Sequence, residues 1–165
     1  MKIEKLIDFE NQKYNWAKIE RVPEFATLKK CQQNPVWHSE GDSFIHTKLV
    51  CEKMLDILKE YHMTNEDFAP EIKILMTAAL FHDIGKGVTT IFKKDNWHAY
   101  GHEIEGEKIT RRLLWENGME FREKVCALVR WHMEPLHIFE GNGGKDYVTK
   151  LLRLSKRCNI KHVLL

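Results

Sequence analysis

Apolar residues recur along most of this chain at helical spacing, and the stretches that keep the spacing define its elements. From Ser43 to Tyr61 the positions Val50, Met54, Ile57, Leu58 and Tyr61 form one stripe, with His46 on the same stripe one turn earlier. Asp42 or Ser43 can cap that helix. Ile72, Leu75, Met76, Ala79 and Leu80 repeat the i, i+3, i+4, i+7, i+8 pattern. Pro70 suits the first turn and Gly85 the residue just past the last, so His82 and Asp83 fall in the final turn. Gly106, Ile109 and Leu113 mark the packed face of a helix from about Tyr100 or Gly101 to Trp115, His102 extends that face by one turn, and Asn117-Gly118 ends it. A helix from about Glu120 carries Val125, Leu128 and Val129 and continues to His132, with Pro135 following. After the turn Gly141-Asn142-Gly143-Gly144, Asp146 can cap a last helix. Its inward positions are Val148, Leu151, Leu152 and Ser155, and its outer face carries Lys150, Arg153, Lys156 and Arg157.

The remaining stretches are less periodic. Met1 to Arg21 is mixed and charged, anchored only by Ile3, Leu6, Ile7, Tyr14, Trp16 and Ile19, which predicts short helices or a loosely held arm. Pro23 can open a helix through about Cys31, and Asn34-Pro35 then forces an extended turn. Val88 to Trp97 reads as a loop with a few extended residues. With no repeat, no low-complexity tract and no convincing strand set, the expectation is an all-α bundle of about six to seven helices. One domain spans residues 1–165, with residues 1–35 as a looser N-terminal helical arm.

Composition narrows the class of partner. A hydrophobic fraction of 43% and a charged fraction of 30% suit an ordinary globular protein, and the net charge of +2 is too small to argue for a polyanion as the principal partner. Cys31, Cys51, Cys126 and Cys158 lie far apart with no CxxC pair, and neither a signal-peptide h-region nor an apolar run of spanning length is present. The expectation is a protein with reduced thiols, cytoplasmic and without a membrane partner.

The histidines carry the chemistry. One histidine closing an apolar stripe is usually a hydrogen-bonded core residue. Here His46, His82, His102 and His132 close stripes on separate helices, each able to point into the same bundle, the arrangement from which helical proteins build metal sites. Neutral imidazoles with a carboxylate suit a divalent transition metal, and Asp83 can bridge two ions with the histidines divided between them. His98 rivals His102, and His38, His62, His137 and His162 fit less well. Lys86 can serve as the charge partner of Asp83 at the helix end or as a phosphate contact. In the loop Val36-Trp37-His38-Ser39-Glu40-Gly41-Asp42, capping accounts for Asp42 but leaves His38 and Glu40 without a structural reason.

These residues resemble the HD-domain metal-dependent phosphohydrolases, and in particular the HD domain of bacterial tRNA nucleotidyltransferases and related phage and bacterial HD proteins. The likeness rests on Trp37-His38-Ser39-Glu40-Gly41-Asp42 followed by His46-Thr47, on Ala78-Ala79-Leu80-Phe81-His82-Asp83-Ile84-Gly85-Lys86, on Gly101-His102-Glu103 with Gly106, and on Leu128-Val129 with His132. It implies that His46, His82 and Asp83 bind a first metal and that His102 and His132 complete a second site. One or two divalent ions (manganese, nickel, cobalt, iron, zinc or magnesium) would then be held per chain. The implied reaction is phosphoester hydrolysis of nucleotides, cyclic nucleotides or RNA ends, a cation lowering the pKa of coordinated water toward about 7 so that hydroxide attacks phosphorus. Asp83 and Lys86 are the expected catalytic residues, and Lys86, His38 and Glu40 the expected substrate contacts. The family also supplies a later aspartate to the first metal, whereas after His132 this chain offers Glu134, Glu140 and Asp146, the last explained by capping. The closing run Ile160-Lys161-His162-Val163-Leu164-Leu165 is similar to the approach to that aspartate, which predicts a truncated chain or a defective site. The competing expectation is a non-catalytic module that binds a nucleotide or RNA through the basic face of the last helix.

Overall fold

The computed structural model describes residues 1–34, 41–63, 65–140, 147–159 and 162, and in them helices dominate, accompanied by two small antiparallel hairpins. A 3-10 turn over Ile3–Lys5 leads into β1 (Ile7–Asp8), which pairs with β2 (Lys13–Tyr14), then into α1 (Trp16–Ile19) and α2 (Pro23–Leu28), which Pro23 opens. Ile3, Ile19, Phe25 and Leu28 are wholly buried. The Tyr14 hydroxyl donates to the Met76 carbonyl at 3.0 Å, and the Ile3 amide donates to Asn117 Oδ1 at 2.8 Å. The segment is therefore anchored in the core, and of the two forms expected of it the short helices are present, preceded by a hairpin. Its anchors follow neither helical nor strand periodicity because they sit on one-turn helices and a tight hairpin and converge only in space.

Asp42 caps α3 (Ser43–Glu60), its carboxylate accepting from the Phe44 and Ile45 amides at 2.9 Å each. The buried side of α3 runs through Phe44, Thr47, Cys51 and Leu58. Val50, Met54 and Ile57 lie at its edge and Tyr61 is exposed, so the stripe is turned from the predicted one. Thr47 satisfies its buried hydroxyl by donating to the Ser43 carbonyl at 2.8 Å.

In α4 (Asn65–Phe81) the backbone leaves helical geometry at Phe68, which puts Pro70 in the first turn of the straight portion, where its missing N–H costs nothing. Ile72, Leu75, Met76, Ala79 and Leu80 are buried as their spacing predicts. The helix stops at Phe81, so His82 and Asp83 occupy a turn beyond it rather than its last turn. Gly85 is right-handed (φ −69°, ψ −19°) and is not a left-handed cap. Glycine is needed there for a different reason: a Cβ would collide with the His102 carbonyl and the Gly106 amide.

The chain continues through α5 (Lys86–Thr89) into β3 (Ile91–Lys93) and β4 (Asn96–His98), a hairpin turned by Lys94 and Asp95 at positive φ, where the pattern had predicted a loop. Next come α6 (His102–Leu113), α7 (Met119–Trp131), α8 (Glu134–Glu140) and α9 (Tyr147–Ser155). Gly106 lets α6 lie close on α7, with Val129 Cγ1 3.1 Å from where a Cβ would be. In α9 the inward side is Leu151 and Leu154, continued by Cys158. Val148, Leu152 and Ser155 are exposed, contrary to the predicted face. The four cysteines are free thiols. Among the described residues no helix is long and apolar enough to cross a membrane.

Candidate metal centre

Four chain segments deliver side chains to one point. His46 stands in the first turn of α3, His82 and Asp83 in the turn after α4, His102 at the start of α6, and His132 at the C-terminal end of α7. The tight approach of Gly85 to the first turn of α6 brings the His82–Asp83 turn against His102. The imidazole rings pack side by side, with centroids 5.4 Å apart for His46 and His82, 5.4 Å for His82 and His132, and 5.1 Å for His102 and His132.

Asp83, 2% exposed, is the hub. Its Oδ2 lies 3.2 Å from His82 Nε2 and 3.6 Å from His46 Nε2, and its Oδ1 lies 3.3 Å from His102 Nε2 and 3.6 Å from His132 Nε2. Two triads share this carboxylate: His46, His82 and Asp83, and Asp83, His102 and His132. Glu134 joins neither, and among the described residues no other acid does. His38, Glu40 and Asp146 lie outside the described residues.

Hydrogen bonding fixes the tautomers. His82, His102 and His132 each place Nδ1 on the carbonyl three residues earlier, at 2.9 Å to Ala79, 2.8 Å to Ala99 and 2.8 Å to Val129. A carbonyl only accepts, so each Nδ1 carries the proton and each neutral ring turns an Nε2 lone pair toward Asp83. Acceptors thus face acceptors. His102 and His132 bring Nε2 atoms within 3.2 Å of each other, and the buried His82 Nε2 and Asp83 Oδ2 have no hydrogen-bond partner among the described residues. A buried carboxylate ringed by lone pairs is costly without positive charge, and of its two oxygens only Oδ2 has an ammonium, that of Lys86, beside it. A divalent cation on either face of Asp83 supplies that charge and uses these lone pairs, and the Nδ1–carbonyl bonds are the outer support that orients ligand histidines. The residues therefore fit a metal ion.

Charge tells the same story. Once protonated, the same imidazoles become donors to the carboxylate: burial pushes the Asp83 carboxyl up, but His82, with His102 and His132, more than offsets this and holds it well below the usual carboxylate range. Burial pushes both His102 and His132 down. The contact with Asp83 outweighs it at His102, which is raised, and does not at His132, which is lowered.

Lys86 is buried at 8% exposure. Its Nζ approaches Asp83 Oδ2 to 2.7 Å as a charge contact, the oxygen having no hydrogen bond among the described residues. The same ammonium donates to Gln33 Oε1 at 2.7 Å. His98 stands apart on β4, its Nε2 on the Lys93 carbonyl at 3.2 Å and its ring stacked on Tyr100 at 5.0 Å.

The triads floor a pocket of about 590 Å³ whose walls include Gln33, Lys86, Trp97, His98, Tyr100 and Leu136. Gln33 and the hairpin aromatics were not anticipated. They belong to no apolar period, and nothing in their spacing marks them. A neighbouring groove, lined by Val50, Met54, Ile57 and Leu128, reaches His46 and His132 from another side and carries His162 at its edge.

Residues 44–160 match the HD domain family, a span containing every member of both triads. The chain belongs to the HD-domain family. Among curated relatives, it is 40% identical over 92 residues to a Multifunctional CCA protein of Actinobacillus pleuropneumoniae, covering 55% of this chain and 20% of that one. To the Multifunctional CCA protein of Teredinibacter turnerae it is 32% identical over 138 residues, covering 81% and 29%. To that of Pasteurella multocida it is 34% identical over 91 residues, covering 55% and 20%. The chain thus spans less than a third of the length of these relatives. No solved structure matches it significantly.

Proposed function

We propose that this HD domain is a metal-dependent phosphohydrolase acting on nucleotides, 2',3'-cyclic nucleotides or RNA ends. The observation that carries the reading is the shared carboxylate: Asp83 turns one oxygen to His46 and His82 and the other to His102 and His132, with imidazole lone pairs aimed inward. His46, His82 and Asp83 would hold one ion, and Asp83, His102 and His132 would hold a second. Divalent cations so held supply the Lewis acidity that activates water and neutralises charge on phosphoryl oxygens.

The chain's own side chains do the rest. The backbone carbonyls of Ala79, Ala99 and Val129 keep Nδ1 protonated and the ligating nitrogens free. Lys86 places a cation beside Asp83 at the pocket floor, where it balances the buried carboxylate and attracts an anionic substrate. Kinship to CCA proteins supports nucleotide or RNA substrates over unrelated phosphoesters. The second reading, a nucleotide- or RNA-binding module with a degenerate centre, draws on the exposed basic side of α9, where Lys150, Arg153, Lys156 and Arg157 face solvent.

The test is the metal content of protein purified without chelator, followed by hydrolysis assays on 2',3'-cyclic nucleotides and an aryl phosphate. We expect bound divalent metal and cation-dependent turnover that prefers the nucleotide and is lost in His46→Ala. Turnover unchanged in His46→Ala would assign it to another site, and nucleotide binding without any turnover would favour the module.

A further inference from the structure

The pocket contains a buried donor that the metal centre does not use. Gln33 is 9% exposed, lines the same pocket as both triads, and its Nε2 has no acceptor among the described residues. A buried amide N–H left without an acceptor is destabilising unless something that enters the site completes it. The orientation of the amide is determined by its other end. Oε1 accepts from Lys86 Nζ at 2.7 Å, and turning the amide over would set NH₂ against an ammonium, donor against donor. Backbone contacts hold the segment in place: the Ser43 amide and hydroxyl both donate to the Cys31 carbonyl, at 3.0 and 3.2 Å, and Gln32 pairs with Asp42 across an isolated bridge. Gln33 is thus fastened to the start of α3, the helix that carries His46.

One lysine ammonium touches both Gln33 Oε1 and Asp83 Oδ2, so the free donor lies close to the carboxylate that the two triads share. A ligand group reaching Nε2 must accept a hydrogen bond and suit a neighbourhood holding Lys86. An anionic phosphoryl oxygen meets both requirements and gains more from the ammonium than a neutral carbonyl would. We infer that Gln33 is a substrate-binding residue whose Nε2 donates to a non-bridging phosphoryl oxygen, and that Lys86 is a positioning residue that fixes the direction of that amide. The inference rests on the phosphohydrolase reading and names a specific contact within it.

The experiment uses inorganic phosphate as probe on the full chain loaded with zinc, a diamagnetic ion. In ¹⁵N-labelled protein the Gln33 side-chain amide signals, assigned by their loss in Gln33→Met, should shift on titration with phosphate. Calorimetry should show phosphate affinity falling about tenfold or more in both Gln33→Met and Gln33→Glu, as expected for a hydrogen bond to a charged group, with zinc content unchanged. The two variants separate the roles. Glutamate keeps an oxygen for Lys86 and lacks the donor, so a residue that merely steadies Lys86 would tolerate Gln33→Glu and fail only in Gln33→Met. Wild-type phosphate binding with an unmoved amide, or with Gln33→Glu at full affinity, overturns this inference alone. Absence of phosphate binding by the zinc-loaded wild type overturns it together with the phosphohydrolase reading.

Discussion

On the Oδ1 side of Asp83, His102 and His132 stand with Nε2 atoms 3.2 Å apart, each steered by an Nδ1–carbonyl bond. On the Oδ2 side, His82 is tethered in the same way, His46 reaches in from a different helix, and Lys86 Nζ sits 2.7 Å from the oxygen. The ligand sets are alike in chemistry and unlike in competition. A cation at Oδ1 meets imidazole lone pairs and no competing side-chain cation, whereas one at Oδ2 must share the carboxylate with an ammonium. Ligand identity alone therefore does not rank two sites. What else already balances the shared charge does, and the Oδ1 face is the better prepared.

The strongest way to break this comparison is to remove what the faces share. Asp83→Asn should abolish binding on both, taking metal content and phosphoester hydrolysis to background. One full equivalent of metal remaining, measured by mass spectrometry of the purified protein, would show that a face works without the carboxylate.

Separating the faces is the next step. His132→Ala and His46→Ala should each lower the number of tightly bound cations by one, His132→Ala taking the tighter class and His46→Ala the weaker, while both suppress turnover. If calorimetric titration of His46→Ala shows both classes lost, the faces form a single cooperative centre.

Smaller effects sharpen the picture through the backbone. Gly85→Ala puts a methyl into the His102 carbonyl and Gly106 amide, an overpacking that costs about 1–3 kcal/mol. The melting temperature should fall by roughly 2–4 °C per kcal/mol for a chain of this size. Because α6 must shift, cation affinity on the Oδ1 face should drop more than on the Oδ2 face. Equal loss on both would mean that the glycine positions the turn and not His102.

The mildest change acts on the other face. Asp42→Ala removes the cap of the helix that carries His46, a loss of about 1 kcal/mol, and should weaken the Oδ2 face a few-fold with the Oδ1 face intact. Chemical denaturation with metal titration reads both quantities.

How far the chain could be read in advance depended on periodicity. The α4 stripe, the capping of α3 by Asp42 and the packing role of Gly106 were legible because each is local: apolar residues a turn apart, a carboxylate ahead of a helix, a glycine on a packed face. The N-terminal segment was not, since its buried isoleucines meet only after a hairpin and two short helices fold. The α3 and α9 faces were misjudged for a related reason. Small Thr47 and Cys51 are buried while Tyr61 is exposed, because the distance between helices, and not hydrophobicity alone, selects what fits.

At the centre the division is similar. The sequence by itself determined that four histidines fall at or next to the ends of apolar helical segments and that an aspartate adjoins one of them, because those are facts of spacing along the chain. Only the tertiary structure decided that these ends meet around Asp83, that Gly85 pays for the approach of α6, and that Gln33 and Lys86 lie on the same pocket wall. Contacts between residues far apart in the chain depend on how helices cross and how closely their backbones approach, and neither quantity is written in any one helix's own period.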